Sequence, residues 1–362
     1  MTGIGKIGTR QFTILVTIFT IGGSILSAPG GLAKGANQDA WIAAILGVAV
    51  SLLLVYLYAA IGKRYPKLTL AQYSEQIVGK WLGKAISLSF FSYFFLLSVL
   101  LLREIGDFVT IHMMLNTPIQ AIHIIFLTIV ILAVRLGLEP FARASELFLP
   151  WVMMLFLILV VSLSPQIKFE NMLPVMENGI KPVLQAAFPF LSLPFLQLVV
   201  FLMILPSINR KDETAKAFVI GTLAGGVVLI AVSFMSILVM GSDYSKSQLF
   251  PSYMLAQQIN IAGFFQRVEA ILAIIWFLTI FFTLTICFYA SALGIAQTFR
   301  LKSYRFLTLP LGMLTVSLSL IVSPNTSYFH SFLAKIWTPY SLTYGLFLPF
   351  LLLAIDLWRK KI

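Results

Sequence analysis

Cysteine occurs once in 362 residues, at Cys287. A single thiol excludes an internal disulfide and any Cys-based metal site. Histidine is almost as scarce, with His112, His123 and His330 scattered along the chain. There is no Gly-rich phosphate loop, no HExxH and no GxSxG. No catalytic constellation, metal site or cofactor motif therefore emerges, and the chain reads as a non-enzyme without cofactors. Charge is short too: 10% of residues are charged, where a soluble domain carries roughly a quarter. The deficit falls on the acids, with 13 Asp and Glu against 25 Lys and Arg and a net charge of +12. In a soluble chain that balance would suggest nucleic acid. Here the bases sit between apolar runs, where they set membrane orientation, so no nucleic-acid partner is read.

What the chain has instead is apolar length. Hydrophobic residues make up 59%, 31 of them Phe, and the mean hydropathy is +0.97. This predicts an all-α polytopic membrane protein in contact with the lipid bilayer. Ten transmembrane helices are expected, at about 11–34, 40–62, 84–112, 118–136, 144–163, 182–206, 214–240, 264–298, 306–323 and 334–357. The third and eighth are long, which implies tilt or extension beyond the lipid. Eighteen of the 25 basic residues, including Lys63, Arg64, Lys67, Arg210 and Lys211, fall on the side of the termini, and five fall opposite. That asymmetry puts both termini in the cytoplasm. The outer loop from Gly241 to Gly263 is too short to fold alone, so 1–362 reads as one integral membrane domain. Lys6, Arg10, the apolar run and Ser27-Ala28-Pro29 also fit a cleaved secretory signal. A retained first span accounts better for the helix breakers between Gly22 and Gly31.

The first span carries GGSILSAPGG, Gly22 to Gly31, and the sixth carries FPFLSLPF, Phe188 to Phe195. Both contain Ser-x-Pro: Ser27-Ala28-Pro29 and Ser192-Leu193-Pro194. Proline belongs in the first turn of a helix and serine is a favoured N-cap, so each reads as the start of a new half-helix. A break at membrane depth survives only where protein, water or ligand satisfies the freed backbone groups. A half-helix N-terminus suits a carboxylate, and the carbonyl end suits an ammonium or a cation. The breaks occupy matching places in two five-span halves, about 11–163 and 182–357. An odd number of spans gives the halves opposite orientation. This predicts a 5+5 inverted repeat with broken helices one and six and a binding site at the midplane. A pair of proline kinks with glycines for helix packing is the alternative.

If the long spans pass these breaks, Tyr93 and Leu97 on span three and Thr279 and Thr283 on span eight face them. Each Thr also has a bland role, bonding the carbonyl one turn earlier. Span three continues into LLREIGDF, with Arg103, Glu104 and Asp107. Arg103 stands ~28 Å above the termini-side end by helical rise, near the outer interface. Arg103 and Asp107 are spaced as an i,i+4 pair. Arg267 and Glu269 enter span eight at a similar depth. These five residues read as an outer gate or ion-pair network, with a weak interfacial salt bridge as the alternative, and a role in binding the ligand head group is disfavoured because the depth is wrong. Arg135, Glu139, Arg143 and Glu146 between spans four and five form a self-paired solvated face, which also suits a docking partner.

The chain resembles the B subunits of bacterial spore germinant receptors. These are a branch of the amino acid–polyamine–organocation transporter superfamily with its LeuT-like fold. The resemblance is carried by GGSILSAPGGLA with NQDAWIAAILG, KRYPKLTLAQYSEQIVGKWLGK, LLREIGDFV, LNTP at Leu115–Pro118, and RLGLEPFARASELFLP. It implies a multi-pass subunit of the spore inner membrane that works with A-type subunits and C-type lipoprotein subunits. It implies sensing of a small germinant, typically an L-amino acid such as L-alanine, that triggers germination. Ligand amino and carboxyl groups would be held around Gly22, Gly23, Ser24, Ser27, Phe190 and Ser192. Tyr93, Leu97 and Thr283 would line the side-chain pocket. Some proton-coupled members of the superfamily place a lysine in span five, but Glu146 to Ser164 has no basic residue here. A sensor is thereby favoured. An amino acid symporter or exchanger, and an ion or water conduit gated within the complex, stay open.

Overall fold

The computed structural model describes residues 5–259 and 268–359. The first span is two helices, α1 (Thr9–Ile21) and α2 (Ala28–Ala36). Next come α3 (Ala40–Arg64), a short α4 (Leu70–Val78), α5 (Lys80–His112), α6 (Ile119–Leu136) and α7 (Leu138–Leu163). The second half opens with α8 (Ile180–Ser192), a 3₁₀ segment Leu196–Met203, and α9 (Thr214–Ser247). A seven-residue helix, α10 (Pro251–Gln257), lies in the expected outer loop. It is followed by α11 (Glu269–Thr298), α12 (Thr308–Ile321), α13 (Thr326–Phe332), α14 (Thr338–Leu342) and α15 (Leu348–Arg359). Among the described residues, eight helical segments are long and apolar enough to cross a membrane, and Thr9–Ile21 and Arg305–Ile321 are shorter apolar helices. With α1 and α2 as one broken span and α13 to α15 as another, the chain makes ten crossings.

Burial sorts the crossings into centre and rim. The most apolar stretch is 83% buried in Ile180–Met203, 72% in α11 and 61% in α5, but only 22% in α6 and in α7. The rim helices show Ile124, Ile125, Ile129, Leu157 and Val161 outward, as lipid contact requires. The central helices approach through small residues. A Cβ on Gly221 of α9 would stand 2.7 Å from the Thr13 carbonyl oxygen of α1, and one on Gly225 would stand 2.5 Å from Thr20 Cβ. Thr17 Oγ1 donates across this seam to the Gly221 carbonyl at 3.2 Å. Without a hydrophobic drive between helices in lipid, such close packing and hydrogen bonding hold the bundle.

On the side of the chain ends, Ile7 pairs with the segment after span six: Ile7 N–H donates to Ser207 O at 2.9 Å and Asn209 N–H to Ile7 O at 3.0 Å. Arg64 and Tyr65 both donate to Asp356 of α15, each at 2.5 Å. The expected end of span seven near Met240 survives as a kink inside α9, where Gly241 takes φ of 77°. Only glycine adopts that left-handed conformation without strain.

Candidate functional site

Helix α1 ends where its breakers begin. Gly22 N–H still donates to Ile18 O at 2.9 Å, but residues 22–27 run as turns before α2 starts with Ala28. Pro29 sits in the first turn of α2, as the sequence predicts, with Ser27 at the N-cap position. Ser27 makes no side-chain cap bond, because its backbone is already helical (φ −103°, ψ −23°). Among the described residues, the N–H groups of Gly23 and Ser27 find no acceptor. The freed carbonyls are met from outside the span. Ser252 of α10 donates its Oγ–H to Ile25 O at 2.6 Å and its N–H to Leu26 O at 3.4 Å. This short helix α10 is a cap on the break.

Span six breaks differently from expectation. Ser192 is the last residue of α8 and does not start the second half. Its hydroxyl turns back to Pro189 O at 2.7 Å and lies 3.2 Å from Thr338 Oγ1. Pro194 has no N–H to continue the helix, so α8 stops. The chain resumes as 3₁₀ structure from Leu196, with no serine cap. Tyr58 of α3, fully buried, donates to Leu196 O at 3.3 Å and Gly345 O at 2.5 Å, tying the break to the last span.

The two breaks face one cavity of about 30 Å³, room for about two waters. Gly23, Ser24 and Ser27 line it from span one, Leu193 and Gln197 from span six, and Leu97, Leu101 and Glu104 from α5, closed by Trp337. Glu104 is 7% exposed, and a Cβ on Gly23 would stand 3.5 Å from its Oε2. Its carboxylate has no hydrogen bond or ion pair among the described residues. The Trp337 indole N–H, at the cavity's edge, is likewise without a partner there. A carboxylate at the wall of so small a cavity, without a protein partner, marks a place for a cation or a donor.

The remaining predicted residues separate. Leu97 lines the cavity. Thr283 packs on the break itself, its Oγ1 2.0 Å from where a Gly22 Cβ would be, and it bonds Thr279 O at 3.0 Å. Thr279 bonds Ile275 O at 2.9 Å. Tyr93 lies outside the cavity lining, stacked on Tyr344 at 4.8 Å and Trp337 at 5.5 Å. Phe190 fills the space over Gly47 and meets Phe195 edge-on at 5.5 Å.

The charged cluster divides as well. Arg103 pairs with Asp107 at 2.9 Å and donates to Ser323 O at 2.5 Å. No ion pair joins Glu269 to them among the described residues, and Arg267 lies outside those residues. Glu104 does not join that pair but lies against the break. Adjacent residues on α5 differ by only ~1.5 Å in rise but point about 100° apart around the helix, so Glu104 faces the break while Arg103 turns to Asp107 and Ser323. Sequence reasoning missed Gln197, Tyr58 and Ser252.

Comparison with known proteins gives the family and the fold. The model of the family described as "Spore germination protein" matches residues 6–327. Spore germination protein YndE of Bacillus subtilis (strain 168) is 30% identical over 361 residues, covering 98% of both chains. Spore germination protein KB of the same organism is 29% identical over 360 residues, covering 98% of this chain and 96% of that one. Among solved structures, MhsT in complex with L-phenylalanine superposes with a TM-score of 0.67 at 14% identity, over 98% of this chain and 99% of that one. The nucleobase-cation-symport-1 family transporter Mhp1 superposes at 0.65, also at 14% identity, over 94% and 76%. These likenesses establish the LeuT-like transporter fold. The family match and the near full-length relatives place this chain in the spore germination protein family, as a transporter-like membrane protein and not an enzyme.

Proposed function

We propose that this chain is the membrane subunit of a spore germinant receptor and binds a small L-amino acid, such as L-alanine, between the broken spans. The observation that carries this is the unpartnered Glu104 carboxylate in a cavity lined by both breaks. Glu104 takes the ligand ammonium. The free N–H groups of Gly23 and Ser27, with the Ser24 and Ser27 hydroxyls, take the carboxylate at the start of α2. Leu97 and Leu193 border the side chain, and Gly22 with Thr283 sets the shape of the turn. Arg103 and Asp107, with Arg267 and Glu269, act toward the outer side as a gate. In this reading the termini are cytoplasmic, the membrane is the spore inner membrane, and A-type and C-type subunits receive the signal. The structure similar to this chain that was solved with L-phenylalanine supports an amino acid as the ligand class.

A cavity that holds about two waters is too small for an amino acid. Binding therefore requires spans one and six to part, which is the motion a receptor would pass on to its partners. Thermal-shift titration of the purified receptor complex across the amino acids tests the reading. A ligand-dependent rise for one or a few small amino acids is expected. No rise for any amino acid, with the complex folded, would refute it. Uptake of labelled amino acid into vesicles containing this subunit alone would replace the sensor by a transporter.

A further inference from the structure

A second cavity lies on the side of the chain ends, away from the breaks. It holds about 550 Å³, within the size range of ligand sites. Its inner wall is apolar and small: Ala59 and Gly62 of α3, Leu205 at the end of span six, and Ala215 of α9. Its rim is basic. Lys63 and Lys211 line it, and the charge of Lys67 is near enough to Lys211 to act on it. None of these three lysines forms an ion pair among the described residues. Lys211 donates to the Pro66 carbonyl oxygen, which fixes its ammonium at the rim. Asp212 is the acid at the rim, while Glu213 is engaged by Arg210 at 3.1 Å. The two lysines at the opening, with Lys67 close to Lys211, repel one another until an anion enters.

We propose that this cavity is a binding site for a phosphate group, supplied by the headgroup of an anionic phospholipid. Lysine ammoniums are compact donors that suit phosphate oxygens, and basic pockets between spans on the cytoplasmic side recognise anionic headgroups. The apolar wall distinguishes a lipid from a free phosphate. Further along the same helices α3 exposes Leu53 and Tyr56 and α9 exposes Ile220 and Val227, apolar surface against which an acyl chain would run. Occupancy bears on the receptor because Leu205 packs within the site's wall. A Cβ on Gly62 would stand 2.4 Å from Leu205 Cδ1, so α3 and the end of span six are already in contact there. A phosphate bridging Lys63 and Lys211 ties α3 to the start of α9 and holds that end of span six closed.

The test uses the full chain, purified and placed in nanodiscs of phosphatidylcholine alone or with phosphatidylglycerol. Phosphatidylglycerol is expected to raise the unfolding midpoint in wild type and not in Lys63→Gln/Lys67→Gln/Lys211→Gln. Each lysine removed should weaken lipid affinity about fivefold, the equivalent of ~1 kcal/mol. High salt should abolish the wild-type shift. If the triple variant fails to fold, Lys67→Gln alone and the salt series decide. Ala59→Leu, which fills the apolar wall, should lose the response to phosphatidylglycerol. Inorganic phosphate added to phosphatidylcholine discs separates the sources: a shift equal to that from phosphatidylglycerol keeps the phosphate site but assigns it to a soluble anion. An equal shift with either lipid, or a shift unchanged by the lysine substitutions and by salt, would overturn the proposal.

Discussion

Replacing Glu104 by glutamine tests the central cavity most directly. The amide keeps the shape of the side chain and removes its charge. In the ligand-free protein the carboxylate is 7% exposed and makes no ion pair among the described residues. Removing an unpaired buried charge relieves a desolvation cost, so the unliganded midpoint should hold or rise. In the proposed liganded state, with the amino acid's ammonium on Glu104, the same change strips the ammonium of its counter-charge. Truncating one partner of a buried, hydrogen-bonded charge pair costs 2–5 kcal/mol, and about 3 kcal/mol weakens Kd roughly 150-fold. The assay is thermal shift and calorimetry with L-alanine on the purified receptor complex. An alanine analogue without its amino group serves as the control and should bind Glu104→Gln no worse than wild type. An unchanged alanine Kd would refute the ammonium assignment. A lower unliganded midpoint with the Kd preserved would make Glu104 a structural residue.

Three further substitutions test the packing around the breaks. Gly22→Ala drives a methyl to 2.0 Å from Thr283 Oγ1. It should lower stability by about 1–3 kcal/mol, and Thr283→Ala on the same chain should restore most of it, read as unfolding midpoints. Ser252→Ala leaves the Ile25 carbonyl without its 2.6 Å donor. A loss of ~1 kcal/mol is expected, with faster hydrogen exchange in α10 and residues 22–27, and unchanged exchange would remove α10 as the cap. Tyr58→Phe deletes the hydroxyl shared by Leu196 O and Gly345 O. It should cost ~1–3 kcal/mol and loosen span ten against span six, measurable as cross-linking between cysteines placed in the two spans.

The breaks were legible because glycine and proline state their constraints locally. Pro29 must lie in a first turn, and Gly22 and Gly23 have no Cβ to meet Thr283 and Leu101. The cap on span one was not legible. Ser252 reaches a carbonyl 227 residues away, and nothing in PSYMLAQ marks that serine as a donor to Ile25. Tyr58 is the same case across 138 and 287 residues. Ser192 misled because Ser-x-Pro describes either end of a break. The deciding fact, a hydroxyl bonded back to Pro189, belongs to the folded turn. Glu104 was visible as an intramembrane acid, but its facing was not, since the packing that aims it at Gly23 and away from the Arg103–Asp107 pair belongs to the folded bundle.

The smallness of the cavity connects these observations. A ligand shifts an equilibrium only by its difference in affinity between two states. With room for about two waters between the breaks, the closed arrangement has almost no affinity for an amino acid. The whole binding free energy is then available to favour an opened arrangement. That opening must separate Gly23 from Leu101 and Glu104, and it pulls on whatever holds the breaks shut. Those restraints are Ser252 on the side away from the chain ends, Tyr58 between spans six and ten, and the Ile7–Ser207 pairing on the side of the chain ends. Each is one or two hydrogen bonds, worth about 1 kcal/mol apiece net. Micromolar binding, ~8 kcal/mol, exceeds their sum. A ligand of ordinary affinity can therefore release all three, and weakening any one of them should lower the ligand concentration at which the receptor responds.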